Sequence, residues 1–131
     1  SARRITSERK RTAPAAITPF LISYSCANFA IATGTVEWDW FPPYDVTLDA
    51  FRGLLSDPQE SGSAAVFDLK VNGVSVLSTK STITNGQKVG SAAVISAPSV
   101  EAFAQVTFSI DAIGTGGLGP AASLVYHQRV T

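Results

Sequence analysis

Hydrophobic and polar positions alternate with a period of two along most of this chain, and the clearest stretch lies near its end. Val106, Phe108, Ile110 and Ala112 fall on one side of the alternation, and Thr107, Ser109 and Asp111 on the other. A glycine-rich loop from Gly114 to Gly119 follows. Leu124, Tyr126 and Gln128 then alternate with Val125, His127 and Arg129. A period of two places successive side chains on opposite faces of a strand and predicts a sheet with two distinct faces. The same pattern recurs upstream. ITPFLISYS predicts a first strand, and Pro19, which cannot donate to a ladder, predicts an edge position or a bulge for it. TVEWDWF (35–41) sets Val36, Trp38 and Trp40 against Glu37 and Asp39 and ends at Pro42-Pro43. In YDVTLDAFRGLL, Tyr44, Val46, Leu48 and Ala50 share one face, and the apolar run at 50–55 leaves room for at most a short helical turn.

SDPQESGS (56–63) is rich in turn formers and separates two structured halves. AAVFDLKVNGVSVLS then gives the strongest local signal. Phe67, Leu69 and Val71 alternate with Asp68 and Lys70, and Asn72-Gly73 supplies the positive φ angles of a tight hairpin. A second pair of strands is expected around Asn85-Gly86. Eight or nine short strands at spacings near ten residues, with little helical periodicity, predict an all-β fold: an antiparallel β-sandwich, jelly-roll-like.

Charge divides the chain. Residues 1–11 carry Arg3, Arg4, Arg9, Lys10 and Arg11 against Glu8, a net of +4, whereas the other 120 residues carry five basic and nine acidic side chains. Residues 1–15 therefore read as a basic arm and linker, with Pro14 disfavouring helix before it, and 16–131 as the β-domain. The arm is either a solvated terminus or a docking segment for an acidic surface, which would be a protein or nucleic acid. The acidic balance of the body argues against a broad nucleic-acid surface. The chain begins at Ser1, which reads as removal of an initiator methionine or as processing. No apolar run approaches the roughly 20 residues needed to span a bilayer. AITPFLIS is too short for that, and no secretory signal organisation precedes it. Only 15% of residues are charged, which suits a small sandwich or a subunit that hides surface against partners.

Candidate chemistry is sparse. Cys26, the single cysteine, excludes an internal disulfide and reads as a buried small side chain. His127 is the only histidine, so a catalytic triad or a zinc site lacks its parts, and no cofactor or metal is expected. Asp45, Asp49, Asp68 and Asp111 each sit among apolar neighbours in strict alternation, as on a solvated sheet face. GTGGLG precedes a strand, not the helix that a phosphate-cradling loop opens, and reads as a flexible or close-packed turn between neighbouring strands. Its glycines (Gly114, Gly116, Gly117, Gly119) would also let a partner's backbone approach closely. Trp38 and Trp40, with Tyr44, form either a core cluster, a subunit contact or a platform for stacking sugar rings.

The stretch from YDVTLDAF through VFDLKVNGVSVLS to VTFSIDAIGTGGLGPAASLVYH resembles a loose group of bacteriophage virion proteins. The places that match are Val46–Ala50, Val66–Leu77, Asp111, Gly114 and Gly116–Gly119, and the likeness spans roughly 34–127. WDWFPP departs from that pattern. The resemblance implies a non-enzymatic structural subunit of the virion, of the head-decoration, neck or tail-fibre type. It would form a homo-oligomer, trimer or higher, and contact other virion proteins such as the major capsid protein. The alternative is a carbohydrate-binding, host-receptor-recognition module on a surface glycan.

Overall fold

The computed structural model describes residues 20–25, 30–35 and 39–129. The basic arm with Arg3, Arg4, Arg9, Lys10 and Arg11, together with Cys26 and Trp38, lies outside the described residues. Among the described residues the fold is all-β and antiparallel, without helix, and its sheets do not close into a barrel.

A four-stranded sheet has the order β1 (Phe20–Ser25), β11 (Leu118–Gln128), β3 (Val46–Asp57) and β9 (Ser99–Val100). A five-stranded sheet has the order β2 (Gly34–Thr35), β10 (Val106–Ala112), β4 (Ala65–Val71) and β5 (Val74–Ser75), with β7 (Ser81–Ile83) also paired to β4. A two-stranded ribbon joins β6 (Leu77–Thr79) to β8 (Val94–Ile95). The chain changes between the two larger sheets from β1 to β2, from β2 to β3, from β3 to β4, from β9 to β10 and from β10 to β11. β1 occupies the edge position that Pro19 predicts.

The two larger sheets share one core. Phe51 of β3 reaches Phe108 of β10 with ring centroids 6.4 Å apart, and Phe67 of β4 stacks on Phe108 at 6.2 Å and 19°. Val46, Leu48, Leu55, Leu69, Val106, Ile110 and Leu124 are buried with them. Fully burying each such side chain stabilises the fold by about 1.5–3 kcal/mol, so this cluster is the main source of cohesion.

Several expectations hold and several need correction. Asn72 and Gly73 adopt φ 52° and 82°, and Val71 pairs with Val74, as a two-residue hairpin of mirror-image turn type requires. The predicted pair around Asn85-Gly86 does not form. The turn is there, with the Gln87 N–H donating to the Thr84 carbonyl at 3.0 Å. Beyond it the chain bonds β7 only around Ser91, whose N–H donates to the Thr82 carbonyl at 2.9 Å, and otherwise runs along β3. Lys88 and Pro98 accept from Leu55 and Leu48, and Gly90 and Ala93 donate to Gly53 and Phe51. The 50–55 run contains no helical turn either, because β3 is extended through Asp57. Its alternation changes phase midway. The β11 ladder pairs Val125 with Ala50 and Tyr126 with Leu48, which leaves Asp49 as the extra residue of a bulge. Val46 and Leu48 are buried before the bulge, and Phe51, Gly53 and Leu55 after it, so Ala50 gives its place in the core to Phe51. Of TVEWDWF, Thr35 pairs with Ser109 and Trp40 forms an isolated bridge to Val106, both along the edge of β10.

Candidate interface and polar sites

The two ends of the long β3–β11 ladder carry different chemistry. At the end where Gln128 pairs with Val46, Trp40 and Tyr44 are half-buried against the core. The Trp40 ring lies 4.6 Å from that of Tyr126, tilted by 50°. Its backbone exchanges two hydrogen bonds with Val106, at 2.9 and 2.8 Å. Trp40 thus links the edge of one sheet to the other. Burial, with a smaller contribution from the Tyr44 hydroxyl bonded to it, pushes the Tyr126 phenol above its ordinary value. Trp40 and Tyr44 each pack against the core beside Tyr126, and Trp38, the third ring of the expected group, lies outside the described residues.

Outside that closure the same end exposes two phenyl rings, Phe41 at 50% and Phe103 at 68%. Phe103 has φ 63°, a left-handed conformation that costs a side-chain-bearing residue about 1–2 kcal/mol. Three bonds hold it there. Its N–H donates to the Pro42 carbonyl at 2.6 Å, Ala104 N–H donates to the Glu101 carbonyl at 3.1 Å, and Ala102 N–H donates to the Asp45 carboxylate at 2.9 Å. Sequence reasoning did not single out Phe103. The EAFAQ stretch reads as the start of a strand, and nothing in it announces a positive φ.

At the opposite end, where Leu118 pairs with Asp57, the glycine-rich loop is close-packed. It joins strands of two different sheets, not neighbours in one, which corrects the sequence expectation. Gln59 organises it from a side chain that is 2% exposed. Its amide oxygen accepts from Gly114 N–H at 2.6 Å, and its amide nitrogen donates to the Ser63 carbonyl and to Asn85 Oδ1, each at 3.1 Å. Asn85 in turn donates to the Gly62 carbonyl at 2.7 Å, so one side chain ties three loops together. A Cβ on Gly114 would strike the Ser61 and Ser63 carbonyls, and one on Gly119, at φ 64°, would strike the Ser56 hydroxyl. Gly117 is buried and its carbonyl accepts from Ile31 N–H at 3.1 Å. Gly116 alone of the four is exposed, on an open cleft of about 700 Å³ that Asp57, Glu60 and Asn85 also line.

The strand aspartates divide by environment. Asp68 is not on a solvated face: it is 2% exposed, accepts from the Ser75 hydroxyl at 2.6 Å and lies 3.8 Å from the Lys80 ammonium. Its neighbours Thr107 and Ser109 are buried as well, so the polar side of β10 is covered. Asp111 sits on a second bulge, between Ile110 and Ala112, and accepts from Lys80 at 2.6 Å and from Ser109 at 2.9 Å. Partial burial of Asp111 would raise its pKa, but the bonds from Lys80 and Ser109 outweigh it and hold the carboxyl below its ordinary value. The bond to Asp111 correspondingly lifts Lys80 above the usual lysine value. Asp49, on the first bulge, meets His127 Nδ1 at 2.8 and 3.0 Å from its two oxygens. A carboxylate only accepts, so the ring nitrogen donates. Asp45 serves the Phe103 turn. Each of these carboxylates is engaged in fixing local structure. Among the described residues, no three His, Cys, Asp or Glu side chains gather as a metal site would require.

No protein-family model matches this sequence, and no curated protein matches it.

Proposed function

We propose that the chain is a structural subunit of a bacteriophage particle, of the capsid-decoration or fibre type. Its two larger sheets would form a jelly-roll-like sandwich, and its basic N-terminal arm would anchor it. The observation that carries this reading is the aromatic end. Phe41 and Phe103 are exposed, and Phe103 is locked in an unfavourable backbone conformation by three hydrogen bonds. Strain of this kind persists where the surroundings over-determine it, and it clusters at functional sites such as ligand clamps and switch regions. The resemblance of the 34–127 stretch to virion proteins supports the same reading. So does the change of sheet between successive strands, which is how sandwich topologies are wound. The packing of Trp40 on Tyr126 weighs against a glycan platform, because it occupies ring surface on which a sugar would stack.

Density-gradient sedimentation of a lysate of the phage that carries this gene is the test. Peptides of the chain that band with the major capsid protein and survive a high-salt wash support the reading. Recovery only in the slow, unassembled fractions overturns it.

A further inference from the structure

The exposed rings lie in acidic surroundings. Asp39, Asp45 and Glu101 are exposed at this end. Asp39 bonds Gln105, and Asp45 bonds the Ala102 amide. Arg129 donates to the Val100 carbonyl and lies 3.9 Å from Asp45, and among the described residues no ion pair reaches Asp39 or Glu101. Beside Phe103 is a depression of about 450 Å³ lined by Val71, Val100 and Ala104 together with Asn72, Ser99 and Glu101. Two exposed rings beside a largely polar hollow with a negative rim call for an occupant that carries positive charge and a few short aliphatic side chains.

The chain itself contains such a segment. Residues 1–11 have a net charge of +4, and Pro14, Ala15, Ala16 and Ile17 follow. Its point of entry into the fold is at the same end. Phe20 opens β1 opposite Tyr126, two residues from the Gln128–Val46 pair, and Val46 in turn pairs with Val100. Nineteen residues precede Phe20, enough to reach about 60 Å when extended.

We propose that the aromatic end is the docking surface for residues 1–19 of a second copy of this chain. The aliphatic residues of the arm seat against Phe41 and Phe103, and its arginines face Asp39, Asp45 and Glu101. An exchange of this kind is self-complementary, so two copies facing each other each receive the other's arm. This inference rests on the reading of the chain as an assembly subunit. Its test is separate, because self-association is measured on purified protein without any particle.

The experiment is light scattering on the full chain over a wide concentration range at low and high salt. The expected result is a mass that rises with concentration and a midpoint that salt shifts upward. Asp39→Lys with Glu101→Lys, which leave the backbone bonds of the Phe103 turn in place, should weaken association by about tenfold or more. Arg3→Glu with Arg4→Glu should do the same. The chain that carries all four changes should regain association, a rescue that misfolding would not produce. A monomer at every concentration overturns the proposal. So does association that ignores both pairs of changes, or a four-fold variant that stays as weak as either double variant.

Discussion

Replacing Gln59 by Leu removes three hydrogen bonds while nearly conserving volume. It leaves the Gly114 N–H, the Ser63 carbonyl and Asn85 Oδ1 without their partner in a site that is closed around a side chain 2% exposed. A stranded buried polar group costs about 1–3 kcal/mol. Three groups, each partly reachable by water, together cost about 3–4 kcal/mol, and the greater apolarity of leucine returns about 1 kcal/mol. The net loss is then about 2–3 kcal/mol. For 131 residues the unfolding entropy makes each kcal/mol worth about 3–4 °C, so Tm should fall by about 7–11 °C. Urea unfolding followed by tryptophan fluorescence and thermal unfolding followed by circular dichroism both read the change. Hydrogen exchange should localise it to 58–63, 84–87 and 113–117. A loss below about 0.5 kcal/mol would refute the reasoning, because it would mean that the three loops hold together without the amide.

Gly119→Ala forces a Cβ into the Ser56 hydroxyl at a positive φ and should destabilise by about 1–3 kcal/mol in the same urea assay. Phe103→Gly relieves the left-handed strain and should raise the stability of the monomer by about 0.5–1 kcal/mol, while light scattering shows weaker self-association. The Lys80–Asp111 pair makes stability depend on pH at both extremes. Asp111 has a depressed pKa, so its contribution is present above the unfolded value of 3.8 and is lost as pH falls through the folded value. Lys80 and Tyr126 have raised values, so their contributions are present below 10.5 and 10.0 and are lost as pH rises through the folded values. Asp111→Asn should flatten the acid limb and the lysine part of the alkaline limb. It should cost less than about 1 kcal/mol at neutral pH, because Lys80 is 43% exposed.

What the sequence reveals about this fold is what local rules encode. Alternation over 65–71 and 106–112 and the Asn72-Gly73 turn are read directly, because each depends on residues adjacent in the chain. The change of phase in β3 is not legible. The bulge at Asp49 is set by its partner strand seventy-odd residues away, where His127 binds the carboxylate. Asp68 misleads for a similar reason. A charged residue at a polar phase reads as solvated, and only the return of Ser75 and Lys80 over it shows that it is covered. Gln59 sits in a turn-rich run and reads as loop surface, yet it holds together loops distant in sequence. The strand that follows the glycine-rich loop distinguishes it from phosphate-binding loops, whereas its crossing between sheets depends on topology. Trp38, Trp40 and Tyr44 read from spacing as a core cluster, a subunit contact or a stacking platform; Trp40 and Tyr44 pack against the core, and Trp38 lies outside the described residues. Phe103 is brought beside the segment that carries Phe41 by the bond from its amide to the Pro42 carbonyl, a pairing that no local pattern announces and on which the proposed contact surface turns.

The most direct measurement places benzoylphenylalanine at position 103 of the full chain, irradiates the purified protein, and maps the cross-linked peptides by mass spectrometry. The account predicts a covalent dimer in which position 103 of one copy is joined to a peptide from residues 1–19 of the other, with yield falling as salt is raised. Cross-links confined to the same copy, or to a part of the second copy other than its arm, would contradict it.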